Sequence, residues 1–252
     1  MDSFVKRGAW ALAGAVWLVS VCAAHGQRKC NEEVKLLLSP AQVRAAISAL
    51  GARRETRGDI YFYDTPDLDL LAKGVVLRLR AGQEIDLTAK LRPVSGERFA
   101  DPTGGKERYK CEVDLNDGVE AESFSVQNRD VSAKGPPATG EELRQLLGEG
   151  QRQLLEDTKV EIDWKRVQRM TEIRSTSWAT KAKGSLGKLS MELWEWPGGS
   201  VLEVSAKVAP DEGQVAYGEL QALAKRNKLA VGKDQRSKTA TVLEQVAAAK
   251  RN

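Results

Sequence analysis

The stretch Tyr61-Phe62-Tyr63-Asp64-Thr65-Pro66-Asp67-Leu68-Asp69-Leu70-Leu71, followed by Lys73-Gly74-Val75-Val76-Leu77-Arg78-Leu79-Arg80 and Ile85-Asp86-Leu87-Thr88-Ala89-Lys90-Leu91-Arg92, decides the fold. Leu77 and Leu79 oppose Arg78 and Arg80. Ile85, Leu87, Ala89 and Leu91 oppose Asp86, Thr88, Lys90 and Arg92. Strict period-two alternation marks strands with two unlike faces. Ala81-Gly82-Gln83-Glu84 suits a short hairpin loop between them. The stretch predicts adjacent strands that carry a row of Arg and Lys on one surface, with a short helical turn over Pro66–Ala72.

Working outward, Asn31–Leu38 reads as a strand with Asn31, Glu33 and Lys35 on one face. Ser39 and Pro40 then open a helix whose stripe is Val43, Ile47 and Leu50, closed by Gly51. Asp59–Tyr63 and Glu107–Leu115 are further strands; on the second, Arg108, Lys110, Glu112 and Asp114 share a face. Ser95–Lys106 reads as a loop. From Asn116 to Gly140 the pattern dissolves, and Lys134-Gly135-Pro136-Pro137 suits a linker. Thr139 and Glu142 have capping-box spacing, opening a helical stretch through Leu155 that breaks near Gly148-Glu149-Gly150. Val160–Lys165, Glu172–Lys181, Leu189–Trp196 and Val201–Val208 follow as strands, the last two joined by a Pro197-Gly198-Gly199 turn. Helices over about 212–225 and 237–249 finish the chain.

The chain has 252 residues, with 39 Lys and Arg against 35 Asp and Glu. So mild an excess argues against nucleic acid as a partner, which usually brings a clustered surplus. Residues 1–24 have a Lys6-Arg7 start, an apolar run over Gly8–Ala24 and small residues at Cys22-Ala23-Ala24, the pattern of a secretory signal peptide. An uncleaved anchor is the alternative, but the run is short for a span. Val21 makes a poor lipid-attachment signal before Cys22. The expected mature protein, 25–252, is therefore exported, periplasmic or secreted, and free of the membrane. Cys30 and Cys111 remain, either as a disulfide permitted by an oxidising compartment or as two unpaired thiols. The only histidine is His25. The body thus offers no Ser-His triad, histidine zinc site or histidine proton shuttle, and chemistry falls to carboxylates, Lys, Arg, Tyr or a hard metal ion.

Charged strand faces usually meet solvent on an open sheet. If they close inward instead, the cations outnumber the acids, and unpaired buried charge costs several kcal/mol per ion. Such a barrel is tolerable when wet and filled by a polyanion, which Arg grips bidentately and Lys as a point charge. Its carboxylates suit Mg²⁺ or Mn²⁺.

Glu33 and Lys35, Tyr63-Asp64-Thr65-Pro66, Leu68-Asp69-Leu70-Leu71, Leu77-Arg78-Leu79-Arg80 and Thr88-Ala89-Lys90 together resemble the CYTH superfamily, the triphosphate tunnel metalloenzymes. The likeness is close as far as Asp114 and looser at Leu202-Glu203-Val204-Ser205 and Ser237-Lys238-Thr239. It implies an α+β fold: a closed antiparallel eight-stranded β-barrel, or tunnel, surrounded by helices, as a single domain over 25–252 built from two halves of about 29–115 and 139–252. It implies phosphate binding by Lys35, Arg78, Arg80, Lys90, Lys110, Lys207 and Lys238, with Arg92 and Arg108 marginal. It implies metal binding by Glu33, Glu112, Asp114 and Glu203, with Glu192 weaker. The family's Glu-x-Glu-x-Lys entry reads Asn31-x-Glu33-x-Lys35 here, and its late Glu-x-Glu reads Glu203-x-Ser205. Two carboxylates are missing while the cationic grip is complete. The expected function is an exported, metal-dependent hydrolase of inorganic triphosphate or another triphosphate-bearing polyanion. A silent polyphosphate-binding module is the alternative, and adenylate cyclase is disfavoured because ATP is scarce outside the cytoplasm.

Overall fold

The computed structural model describes residues 30–82, 85–94, 107–129, 131–133, 135–182 and 184–251. The signal segment, His25, Gln83-Glu84 and the loop read at Ser95–Lys106 lie outside the described residues. The strands are β1 (Asn31–Leu38), β2 (Arg53–Asp64), β3 (Val75–Ala81), β4 (Asp86–Leu91), β5 (Glu107–Asn116), β6 (Val119–Asn128), β7 (Gln168–Lys181), β8 (Lys188–Trp196) and β9 (Gly199–Val208). The helices are α1 (Val43–Leu50), α2 (Asp69–Ala72), α3 (Gly140–Leu146), α4 (Glu149–Asp157), α5 (Gly213–Arg226) and α6 (Lys238–Arg251).

The strands close into one barrel in the order β1-β5-β6-β4-β3-β2-β7-β8-β9, with β9 returning to β1. This corrects the expected eight antiparallel strands. Among the described residues there are nine, and β1 runs parallel to β5, Glu33 opposite Asp114. Strand direction leaves no trace in alternation. The added strand is β6, where the periodic pattern dissolves. Its tunnel side carries Ala121, Ser125 and Gln127, small or neutral groups that give no charged rhythm against Phe124 and Val126. Val160–Lys165, read as a strand, is irregular. Val160, Ile162 and Trp164 pack onto the core cluster under α3 and α4, so their alternation records one-sided burial without a ladder partner.

Local chemistry sets the element ends. Glu142 N–H donates to Thr139 Oγ1 at 3.2 Å and Thr139 N–H returns to Glu142 Oε2 at 3.2 Å, the reciprocal box the spacing predicts. Gly198, at φ 99°, turns β8 into β9 where a side chain would be strained. Ser39 makes no side-chain cap; Pro40–Gln42 is a 3-10 turn leading into α1, and Gly51 closes α1 in the left-handed region at φ 62°.

Three apolar clusters hold helices to the barrel. Leu36, Met191, Leu202 and Val204 meet Ala216 and Leu220 of α5. Leu77, Leu79, Leu87 and Val126 meet Leu143 of α3 and Leu154 and Leu155 of α4. Each fully buried Leu of this kind contributes about 1.5–3 kcal/mol. The third cluster, beneath α6, decides the shape of the interior. Leu37, Phe62, Trp194 and Val201 pack with Val242, Leu243 and Val246, with Val76 against them. By the two-residue repeat, Leu37 shares its strand face with Lys35, Val76 with Arg78, Trp194 with Glu192 and Val201 with Glu203. Inner faces therefore run from apolar to charged along the barrel, and α6 packs where they are apolar.

Candidate active site: a charged passage through the barrel

Two cavities, of about 630 and 510 Å³, lie inside the barrel. Both have Lys35, Arg78, Thr88, Lys90, Glu203 and Lys238 in their walls, so they form one passage. One end opens beside Asn116, Asp117 and the Lys233–Ser237 approach to α6. The other opens among Thr56, Lys110, Ser177 and Lys207. All eleven predicted site residues line this passage. Lys35, Arg78, Arg80, Lys90, Lys110, Lys207 and Lys238 face it with Glu33, Glu112, Asp114 and Glu203. Of the marginal cations, Arg92 lines it, while Arg108 is exposed and lines neither cavity.

The charges are sorted. Asp114 has no exposed side-chain surface, yet three cations reach it: Lys35 Nζ at 2.5 Å, Arg92 Nη1 at 3.1 Å and Lys90 Nζ at 3.2 Å. Burial alone would raise the Asp114 carboxyl; these cations outweigh it and hold it well below the carboxylate range. Burial likewise pulls Lys35 down, but Glu33, Asp114 and Glu203 carry it above its ordinary value. Glu192 forms a second knot. It accepts from Ser175 Oγ at 2.8 Å, lies 3.3 Å from Arg80 and pairs with Lys238. Burial opposes its ionisation, yet Lys238 and Arg80 keep it well below the carboxylate range. Lys238 also reaches Glu203 at 2.9 Å and sits 4.2 Å over the Trp194 ring. Lys207 pairs with Glu112 at the rim, and this contact overcomes burial to lower the Glu112 carboxyl.

Arg78 stands apart. Its Nη2 lies 3.4 Å from Thr88 Oγ1, and its Nε is buried without a hydrogen-bond partner, as is the Nε of Arg80. Burial, and then the charge of Arg80, pull the Arg78 guanidinium down to about 10. A buried donor left unsatisfied carries a real cost, and any oxygen acceptor within reach in the passage would relieve it. Lys90 and Lys110 are lowered too, burial being the main cause.

The carboxylates suit a hard divalent ion in kind, since all donors are oxygens. They do not form a ready cage. Among the described residues, Cys30, Cys111 and Glu122 are the one trio of acidic or thiol groups with ligand atoms within 4.8 Å of one another, and those two sulfurs are joined in a disulfide. The tunnel carboxylates fit an ion that takes one or two protein ligands and completes its shell with phosphate oxygens, as Mg²⁺ commonly does.

The sequence profile of the CYTH domain matches residues 31–174, more than half of the chain. The chain belongs to the CYTH family. Among solved structures, HpAC1 of Hippeastrum, described as a candidate adenylyl cyclase with a dominant triphosphatase activity, is similar at 20% identity and TM-score 0.58 over 84% of this chain and 94% of that one. A candidate adenylate cyclase from Bacillus halodurans is similar at 12% identity and TM-score 0.54 over 83% and 95%. At such identities the likeness establishes the fold alone. A search of curated proteins found no match.

The CYTH motif residues divide by role. Asp64, 1% exposed, accepts the N–H groups of Thr65 at 2.7 Å, Leu70 at 2.9 Å and Leu71 at 2.9 Å. Thr65 Oγ1 accepts from Asp69 N–H at 3.0 Å. The aromatic-Asp-Thr-Pro run therefore builds the turn into α2 and leaves the chemistry to β3 and β4. Sequence reasoning assigned no role to Ser125 and Gln127, because β6 was not recognised, nor to Arg236, which lies in the charged stretch before α6.

Proposed function

We propose that this CYTH chain is an exported hydrolase of inorganic triphosphate or of another compound bearing a triphosphate. The buried, partnerless guanidinium nitrogens of Arg78 and Arg80, facing one passage with Lys35, Lys90, Lys110, Lys207 and Lys238, carry the reading. Guanidinium and ammonium groups placed before the ligand arrives stabilise charge developing on phosphate oxygens without reorganising solvent. The triphosphatase activity named for HpAC1 supports the same reaction class. One or two of Glu33, Glu112 and Glu203 would hold a divalent ion, Mg²⁺ or Mn²⁺, together with the phosphates; Asp114, expected in that set, has its oxygens engaged by three cations. Such an ion, when bound, activates water and neutralises phosphate charge. The Cys30–Cys111 disulfide supports an oxidising compartment and hence export.

A second reading, a binding module with little turnover, is favoured by Asn31 and Ser205 at two family carboxylate positions. Ser205 lies opposite Lys35 and Asn31 opposite Glu112 on the strands that carry the tunnel acids. Phosphate release from tripolyphosphate, measured on the mature protein with Mg²⁺ and with Mn²⁺, separates the two. Turnover is expected. Tight binding with no release in either metal would leave only the binding module.

A further inference from the structure

The geometry points to Asp114 and Glu192 as positioning residues: two anionic anchors, one enclosed and one half-buried, that aim the cations of the passage and do not themselves ligate a metal. This rests on the reading of the passage as a polyphosphate site. Asp114 is fully enclosed and spends both oxygens on three cations, Oδ1 on Lys35 and Oδ2 on Lys90 and Arg92. Glu192 does the same on the other wall, Oε1 on Arg80 and Ser175 and Oε2 on Lys238. Five cations from β1, β3, β4, the residue after β4 and the start of α6 are thus oriented by two carboxylates. An ammonium has three donors and a guanidinium five. Each cation keeps at least one donor for a ligand, Lys35 and Lys238 fewest because they also meet Glu33 and Glu203. Without an anchor, like charges crowded into one passage would separate, and their donors would diverge. Glu33, Glu112 and Glu203 are different: each meets a cation through one oxygen, Glu33 Oε2 with Lys35 at 3.3 Å, Glu112 Oε1 with Lys207 and Glu203 Oε1 with Lys238 at 2.9 Å. The acids that could take an ion are therefore Glu33, Glu112 and Glu203, separate from the two anchors.

The sign of the effect makes the test sharp. By charge alone, removing an anion from a cationic passage should tighten a polyanion; if the anchors aim the cations, removing one should loosen it. Tripolyphosphate binding to wild type, Asp114→Asn and Glu192→Gln is measured by titration calorimetry with a chelator present, beside the Mg²⁺ concentration that half-activates hydrolysis. The expected result is affinity weakened about tenfold or more in both variants, the scale of one or two charge-assisted hydrogen bonds, with the half-activating Mg²⁺ concentration held within about twofold of wild type. A merely damaged fold would lower the binding stoichiometry at unchanged affinity. If Asp114→Asn does not fold, Glu192→Gln decides alone. Unchanged or tighter chelator-phase binding, or a raised Mg²⁺ requirement, in the folded variants would overturn the inference while wild-type binding keeps the functional reading intact. No binding by wild type would remove both.

Discussion

Replacing Arg78 and Arg80 with Ala tests the passage most directly, because their spare donors are its least explained feature. Arg78 has one long contact, 3.4 Å to Thr88, and Arg80 one ion pair, 3.3 Å to Glu192. Little native bonding is lost with them. A charge-assisted hydrogen bond contributes about 1.5–3 kcal/mol. One such bond per arginine makes the double variant about 3–6 kcal/mol weaker for tripolyphosphate, a loss of roughly 10²–10⁴-fold in Kd. Each single variant should lose about 10- to 100-fold, and Arg78→Lys should fall between, since an ammonium replaces the guanidinium fork. Titration calorimetry of the mature protein reads all three. Stability should move the other way. Burial and the neighbouring charge hold Arg78 down to about 10, so its positive charge is unfavourable in the folded state. Removing it should leave Tm unchanged or raised. Double-variant affinity within about threefold of wild type would place the arginines outside the ligand's path and refute the passage as an anion site.

Four further outcomes follow from the same structure. Glu203→Gln should raise the Mg²⁺ concentration that half-activates hydrolysis, whereas an unchanged metal titration would take Glu203 out of the ion's shell. Reducing Cys30–Cys111, which closes a separation of 81 residues, should destabilise the fold by about 2–4 kcal/mol in denaturant melts; free-thiol titration of protein from its own compartment checks that the bond is present. Asp64→Ala should cost about 2–4 kcal/mol by leaving three backbone donors near α2 without their acceptor, and melts equal to wild type would contradict that account. Asp114 and Glu192 have folded pKa values below their ordinary 3.8 and 4.5; their stabilisation is complete above those values and lost as pH falls through and below them, so Asp114→Asn should flatten the acid limb of a stability–pH curve.

The fold was legible wherever one strand face packs under a helix. Leu77 and Leu79 against Arg78 and Arg80 fixed β3, and the Pro197-Gly198-Gly199 turn fixed the β8–β9 hairpin. β6 escaped because a wet interior asks little of a strand. Ala121, Ser125 and Gln127 satisfy it as well as charge does, and Val119, at its start, is exposed. Val160–Lys165 misled in the opposite way: Ile162 and Trp164 are buried on one side, but no neighbouring strand takes their backbone. Parallel pairing of β1 with β5 lay beyond reach, since both directions give the same alternation.

Which charged residues share the passage was legible, and how they pair within it was not. Every acid on an inner face reads alike in a sequence: Glu33, Glu112, Asp114, Glu192 and Glu203 all sit two residues from another tunnel-facing group. What separates them is depth and neighbours across the ring. Asp114 faces β1 and lies within reach of Lys35 and Lys90, 79 and 24 residues from it in the chain, and of Arg92. A carboxylate so enclosed persists ionised only if its cations outweigh desolvation. Lys35, Lys90 and Arg92 are drawn together by Asp114, and Arg80 and Lys238 by Glu192. Arg78, which contacts neither anchor, is left with the unspent donors. On the proposed reading, the anchors keep the cations aimed and Arg78 offers its spare donors to a phosphate oxygen. On the same reading, Asn31 and Ser205 at two family carboxylate positions remove ion ligands and not anchors, because Asp114 and Glu192 are both present.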